Sequence, residues 1–260
     1  MQPELDPDID WVVRLSGEGR EPCERAVAEA ARDVALFRHI AREHDAGGRP
    51  GYVEIDAPLE LYALTRLLRP RHVVEVGVSS GVSSAYLLRA LARNGAGTLH
   101  SIDRPSVERR RPGAPRRPTE SWALPAGRHS GWAVPFPLRG RWDLRLGDKA
   151  DVIPLLAEEL PAIDLFVYDV PHNDSSSWQE FRTLDPRCAP GAVAIADHGP
   201  HGELCSALAR WARFRDAVPA RRAGLGLFGF RAGARISGPK VRPTAKSDRR
   251  SRPAARADQA

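Results

Sequence analysis

Between residues 70 and 200 the chain alternates compact apolar runs with amphipathic stretches, the rhythm of a parallel sheet wrapped by helices. The apolar runs predict strands at His72 to Val76, Thr98 to Ile102, Trp142 to Leu146, Ile163 to Tyr168 and Ala192 to Ala196. Between them, helices are predicted from Val82 to Arg93, where Asn94 and Gly95 stop it, from Lys149 to Leu160, and around Trp178, Phe181 and Leu184. Upstream, Val27, Ala30, Val34, Phe37 and Ile40 fall at helical spacing, so residues 22–44 read as one amphipathic helix ended by Gly47 and Gly48. A second helix follows, with Asp56 as its cap, Pro58 in its first turn and Leu61, Leu64, Leu67 and Leu68 on its apolar face. Downstream, Glu203 to Phe214 suggests a helix and Leu225 to Phe230 a terminal strand, while the pattern leaves a sixth strand undefined.

The alternation breaks twice. Residues 104–141 are rich in Pro, Gly and Arg and carry Trp122, Trp132 and Phe136, with Trp142 just beyond. A loop of that length inside a compact domain is either functional or disordered, so it reads equally as a lid over the strand ends or as a solvated loop. From Gly233 the chain is rich in Pro, Ser, Ala and Arg without hydrophobic periodicity, which marks a disordered tail. The expected organisation is an N-terminal helical extension over 1–54, a main domain over 55–232 with the 104–141 insert, and a basic tail over 233–260.

Charge sharpens this division. The net charge is +6, yet residues 231–260 alone hold nine Lys/Arg against two Asp/Glu, so the rest is slightly acidic. Non-specific attraction to nucleic acid through the tail is an alternative to a merely solvated tail, and the folded part gives it little support. No apolar run reaches about 18 residues, the length of a membrane span, and the opening MQPELDPDID lacks the charged and apolar regions of a signal peptide. The expected location is the cytoplasm, with no membrane partner. Cys23, Cys188 and Cys205 are far apart and form no C-x-x-C pair, so free thiols are expected.

The candidate chemistry gathers at strand ends. Glu75, Asp103, Asp148, Asp169 and Asp197 follow five successive predicted strands, and in an open parallel sheet the carboxyl ends of the strands form the ligand crevice. After the first strand the chain reads E-x-G-x-x-x-G-x-S, from Glu75 through Gly77 and Gly81 to Ser83. The acid precedes the glycines here, whereas the dinucleotide fingerprint has G-x-G-x-x-G and its acid about 20 residues later.

This turn, with Leu144-x-x-Gly147-Asp148, Asp169-x-x-His172 and Pro190-Gly191 leading to Asp197, resembles class I S-adenosylmethionine-dependent methyltransferases. The similarity is to the catechol and caffeoyl-CoA O-methyltransferase type and to bacterial small-molecule methyltransferases, over roughly residues 55–230. It implies an α/β, Rossmann-like, doubly wound, mostly parallel seven-stranded sheet that binds S-adenosylmethionine and methylates an oxygen of a small-molecule acceptor. By resemblance, Glu75 organises the turn beneath the methionine end, and Gly77, Ser79, Ser80, Gly81 and Ser83 lie against the cofactor. Asp103 would accept the ribose hydroxyls, and Asp169 would complete the cofactor set. Asp148 is assigned either to the adenine amino group or to capping the next helix. His172 stands where the catechol type carries a catalytic lysine, and reads either as the general base or as a residue that orients its loop.

The same resemblance implies a site for Mg²⁺ or another divalent metal at Asp169, Asp197 and His198, although imidazole in place of an amide would shift the preference towards softer ions. His201 and Asn173 join it or are loop residues. Two other functions stay open: a non-catalytic S-adenosylmethionine-binding module, and a nucleic-acid-associated methyltransferase using the basic tail. Homo-oligomerisation is left open as well.

Overall fold

The computed structural model describes residues 7–47, 57–105, 124–125, 127–170, 174–197, 218–219 and 227–231. Residues 47, 174–178, 197, 218–219 and 227–231 are described by their backbone alone. The predicted tail over 233–260 and the predicted helix over 203–214 lie outside the described residues.

Five strands run parallel: β1 (His72–Val76), β2 (Thr98–Asp103), β3 (Trp142–Leu146), β4 (Ile163–Tyr168) and β5 (Cys188–Asp197). The sheet order is β3-β2-β1-β4-β5-β7-β6, with β7 (Leu227–Arg231) antiparallel to β5 and the two-residue β6 (Val218–Pro219) antiparallel to β7. Order reverses at β1, between β2 and β4, which is where an open parallel sheet forms its ligand crevice. Gly191, at φ +81°, and Pro190 lie inside β5, and the pairing register shifts between Ile163 and Leu165. β5 therefore starts at Cys188, earlier than the apolar run at Ala192 suggests.

Each face of the sheet carries its own core, because alternate residues of a buried strand point to opposite sides. Val73, Leu99, Leu165, Val167, Val193 and Ile195 pack with α1 (Ile9–Ser16), α2 (Arg20–Ala31), α3 (Val34–Gly47), α4 (Pro58–Leu68) and α5 (Val82–Asn94). Val74, Val76, Ile102, Phe166, Tyr168, Ala194 and Ala196 pack with α6 (Lys149–Glu159) and α7 (Asp174–Leu184). The N-terminal helices thus share the main hydrophobic core: Trp11, Val12 and Leu15 are fully buried in it.

One local expectation is corrected, and two details of the helix starts are added. The helix expected over 22–44 is broken at Arg32–Asp33, where Asp33 Oδ1 accepts from Leu36 N at 3.1 Å and Oδ2 accepts from Arg89 Nε at 2.6 Å. An aspartate that caps a new helix and pairs with α5 redirects the chain onto the sheet. The acidic opening contains a helix, α1, capped by Asp8, whose carboxylate accepts from Trp11 N at 2.9 Å. The capping position of α4 is Ala57, without a side-chain cap; Asp56 lies outside the described residues.

Candidate functional site

The turn from β1 into α5 is built on Glu75, which is fully buried at the strand end. Its Oε1 accepts from Ser83 Oγ, and its Oε2 from Ser84 Oγ and Ser101 Oγ, all at 2.6 Å. Trp142 Nε1 donates to Ser101 Oγ at 2.8 Å, extending the chain of hydrogen bonds to β3. Burial pushes the Glu75 carboxyl above its ordinary pKa, and the three serine hydroxyls pull it back by favouring the charged form. Glu75 is thereby a fastener joining the first turn of α5 to β1 and β2.

Gly77 and Gly81 have positive φ, +93° and +92°, and the structure supplies a protein reason for each. A Cβ on Gly77 would sit 1.7 Å from the Asp169 carbonyl oxygen. One on Gly81 would sit 2.7 Å from Val134 Cγ2 and 2.8 Å from Gly131 Cα. The glycines admit the end of β4 and a strap from the insert. Ser79, at φ +55°, is one of two non-glycine residues in the left-handed region among those described.

The strap is the second half of the 104–141 insert. Gly131 N donates to Ser79 O at 2.8 Å and Ala133 N to Ser80 O at 2.9 Å, so the strap pairs with the turn backbone. Arg139 donates to the carbonyls of Val134 (3.0 Å) and Gly131 (3.4 Å) and lies 5.9 Å from the Trp142 ring centroid. From α3, His44 Nε2 lies 3.1 Å from Ser80 Oγ, its ring tilts against Trp132, and Glu43 Oε2 lies 3.7 Å from Arg128 Nη1. Leu138 and Val134 bury their side chains in the α5 core, while Phe136 is 83% exposed.

Asp103 ends β2 beside this turn. Its Oδ1 accepts from Val78 N at 3.4 Å, and Oδ2 accepts from the Ser130 hydroxyl of the strap. Burial pushes its carboxyl up, while Ser130 and the backbone N–H groups of Val78, Arg104 and Ser79 hold it down. Asp148 caps the helix that follows: its Oδ1 accepts from Ala150 N at 3.0 Å and its Oδ2 pairs with Arg104 Nη1 at 2.6 Å. Asp169 follows β4, and its N donates to Val76 O at 2.8 Å.

Glu75, Asp103 and the turn are thus brought together. His172, His198, His201 and Asn173 lie outside the described residues, and Asp197 is described by its backbone at the end of β5. Among the described residues no three His, Cys, Asp or Glu side chains come together in a way that would hold a metal.

S-adenosylmethionine offers two ribose hydroxyls and an ammonium, which suit a carboxylate, and a carboxylate of its own, which suits hydrogen-bond donors. The turn fits it on two counts. Asp103 is held by neutral donors and keeps lone pairs to accept a diol. In the turn and the strap, the buried Ser79 Oγ and Trp132 Nε1 have no hydrogen-bond partner among the described residues, each costing about 1–3 kcal/mol that an acceptor oxygen would offset.

Sequence reasoning missed Ser84, Ser101, Ser130 and His44. Ser84 lies one residue beyond the quoted turn, and Ser101, two residues before a strand-end acid on a buried strand, is a polar position that asks for a partner. Ser130 and His44 carry no spacing signal, because the insert and α3 reach the turn only through tertiary packing.

Residues 74–198 match a family described as methyltransferase domain. No curated protein matches the chain. Among solved structures, the chain is similar to an O-methyltransferase from Bacillus cereus in complex with SAH, at 15% identity over 78% of this chain and 92% of that one (TM-score 0.54). It is similar also to the O-methyltransferase TomG from Streptomyces achromogenes, involved in tomaymycin synthesis and bound to SAM, at 18% identity over 81% and 96% (TM-score 0.52). A third is the SAH-bound methyltransferase PaMTH1 from Podospora anserina, at 12% identity over 84% and 97% (TM-score 0.53). These likenesses establish the Rossmann-like fold.

Proposed function

We propose that this chain, whose residues 74–198 match a family described as methyltransferase domain, is a class I enzyme that transfers the methyl group of S-adenosylmethionine to an oxygen of a small-molecule acceptor. The observation that carries the reading is Asp103: a half-buried carboxylate held by neutral donors, at a strand end beside the glycine turn, where the sheet order reverses. That the similar structures of the B. cereus enzyme and TomG are O-methyltransferases bound to SAH and SAM supports both the cofactor and the oxygen acceptor.

S-adenosylmethionine supplies an electrophilic methyl on a sulfonium, displaced in line. Asp103 accepts the ribose hydroxyls. Glu75, through Ser83, Ser84 and Ser101, keeps the turn shaped to receive the methionine end, and Ser79 and Trp132 donate to its carboxylate. His172 is assigned as the base that takes the acceptor's hydroxyl proton, on its place in Asp169-x-x-His172. The divalent metal at Asp169, Asp197 and His198 rests on resemblance alone.

Calorimetric titration with S-adenosylmethionine and S-adenosylhomocysteine, with NAD as control, tests the reading. Wild type binds both sulfur ligands and not NAD, and Asp103→Ala loses most of the affinity while keeping its melting behaviour. Absence of binding by the wild type would overturn the assignment.

A further inference from the structure

We propose that Ser130, supplied by the insert, is a cofactor-positioning residue whose hydroxyl fixes the Asp103 carboxylate in the orientation that receives the two ribose hydroxyls. This rests on the cofactor reading above.

The geometry has three parts. First, a diol is received best when both carboxylate oxygens face it, and a carboxylate turns about its terminal bond unless each oxygen is held. Here Val78 N holds Oδ1 and the Ser130 hydroxyl holds Oδ2, from opposite sides of the turn and the strap. Both oxygens retain a lone pair for an incoming hydroxyl.

Second, the Ser130 hydroxyl is itself held by a rigid frame. Ser130 is buried, and the next three residues pair with the turn through Gly131 N and Ala133 N. Arg139 grips the strap carbonyls from below, and Gly131 lies so close on Trp142 that a Cβ there would fall 2.1 Å from the ring. A donor fixed in this way loses little freedom on binding, the usual basis of preorganised recognition.

Third, no guanidinium or ammonium takes the place of Ser130 among the described residues. The adjacent Arg104 turns to Asp148, His129 uses Nδ1 on the Ser130 carbonyl, and buried Glu75 repels the Asp103 charge. Ser130 is the side-chain hydrogen bond that holds the Asp103 carboxyl down against burial. Its loss both frees the carboxylate to turn and raises its pKa, so binding that needs ionised Asp103 falls away at higher pH than in the wild type.

The test is Ser130→Ala, a deletion of one oxygen, titrated with S-adenosylhomocysteine and with its 2′,3′-dideoxy analogue, which lacks the ribose hydroxyls. The analogue serves as the internal control for folding and for the rest of the site. Ser130→Ala weakens S-adenosylhomocysteine about tenfold, as expected for a lost hydrogen bond to a charged group, with a larger loss at lower pH, and leaves the analogue's affinity unchanged. Equal weakening of both ligands, or of neither, overturns the role of Ser130 while the cofactor reading stands. Failure of the wild type to bind S-adenosylhomocysteine overturns the cofactor reading instead.

Discussion

The claim that Gly81 is glycine because the strap lies on it, and not because a ligand does, can be tested without any ligand. Three glycines have nearly the same left-handed backbone, at φ +72° (Gly95), +92° (Gly81) and +93° (Gly77), but different surroundings. A Cβ on Gly95, the C-terminal cap of α5, meets nothing within 4 Å. Gly95→Ala therefore isolates the cost of a left-handed L-residue, about 1 kcal/mol. Gly81→Ala adds contacts of 2.7 Å with Val134 Cγ2 and 2.8 Å with Gly131 Cα. Overpacking of this kind adds about 1–3 kcal/mol, for a total of about 2–4 kcal/mol and a fall in Tm of roughly 5–15 °C. Gly77→Ala, 1.7 Å from a backbone carbonyl, is the worst of the three. Val134→Ala in the Gly81→Ala background recovers only part of the loss, since Gly131 Cα is backbone. Thermal unfolding of the unliganded variants gives the order Gly95, Gly81, Gly77. Equal Tm values for Gly81→Ala and Gly95→Ala would show that the strap does not press on the turn.

Three further outcomes follow from other contacts. Asp148→Ala removes a helix cap, lowering stability by about 1 kcal/mol in urea unfolding; an accompanying loss of S-adenosylhomocysteine affinity would assign Asp148 an adenine contact as well, and unchanged affinity would leave it a cap alone. Tyr168→Phe removes the hydroxyl that accepts from Lys149 Nζ and donates to Glu180 Oε2, both at 2.8 Å, and costs about 1–3 kcal/mol; a neutral result would mean that the buried Glu180 is sufficiently paired by Lys149 alone. His72, 3.2 Å from His100 Nε2, has its pKa lowered by burial and then by His100. The unfolded state therefore binds the proton more readily, so stability present above the ordinary value of about 6.5 is lost as pH falls below it. His72→Gln should flatten the change in unfolding free energy between pH 7.5 and 5.5, and an unchanged slope would assign the acid sensitivity elsewhere.

The parallel core was legible because a strand buried on both faces writes itself as a continuous apolar run: Val73-Val74-x-Val76 and Ile163 to Tyr168 have the bounds the pattern predicts. The one polar member of the first run, Glu75, was legible as chemistry for the same reason, since a carboxylate in that position must be satisfied by something. What satisfies it was not legible. Three serines from two elements converge on Glu75, and only the β1–β2 register, pairing Glu75 with Ser101, brings the third within reach.

The α2–α3 break hid because Ala31-Arg32-Asp33-Val34 continues a helical apolar period, and the capping preference of Asp33 is weaker than that period until Arg89 claims its other oxygen. The insert hid most completely. Its composition reads as loop, yet the segment from Arg128 to Arg139 is held by backbone pairing with the very turn that the motif identifies. A motif shows what a turn can receive. Here the turn already receives a piece of its own chain, and the positive φ at Gly81 that reads as room for a ligand is room for Gly131 and Val134. The chemistry attributed to the motif then passes to what the strap brings with it, a hydroxyl on Asp103 and the indole N–H of Trp132, which has no partner among the described residues.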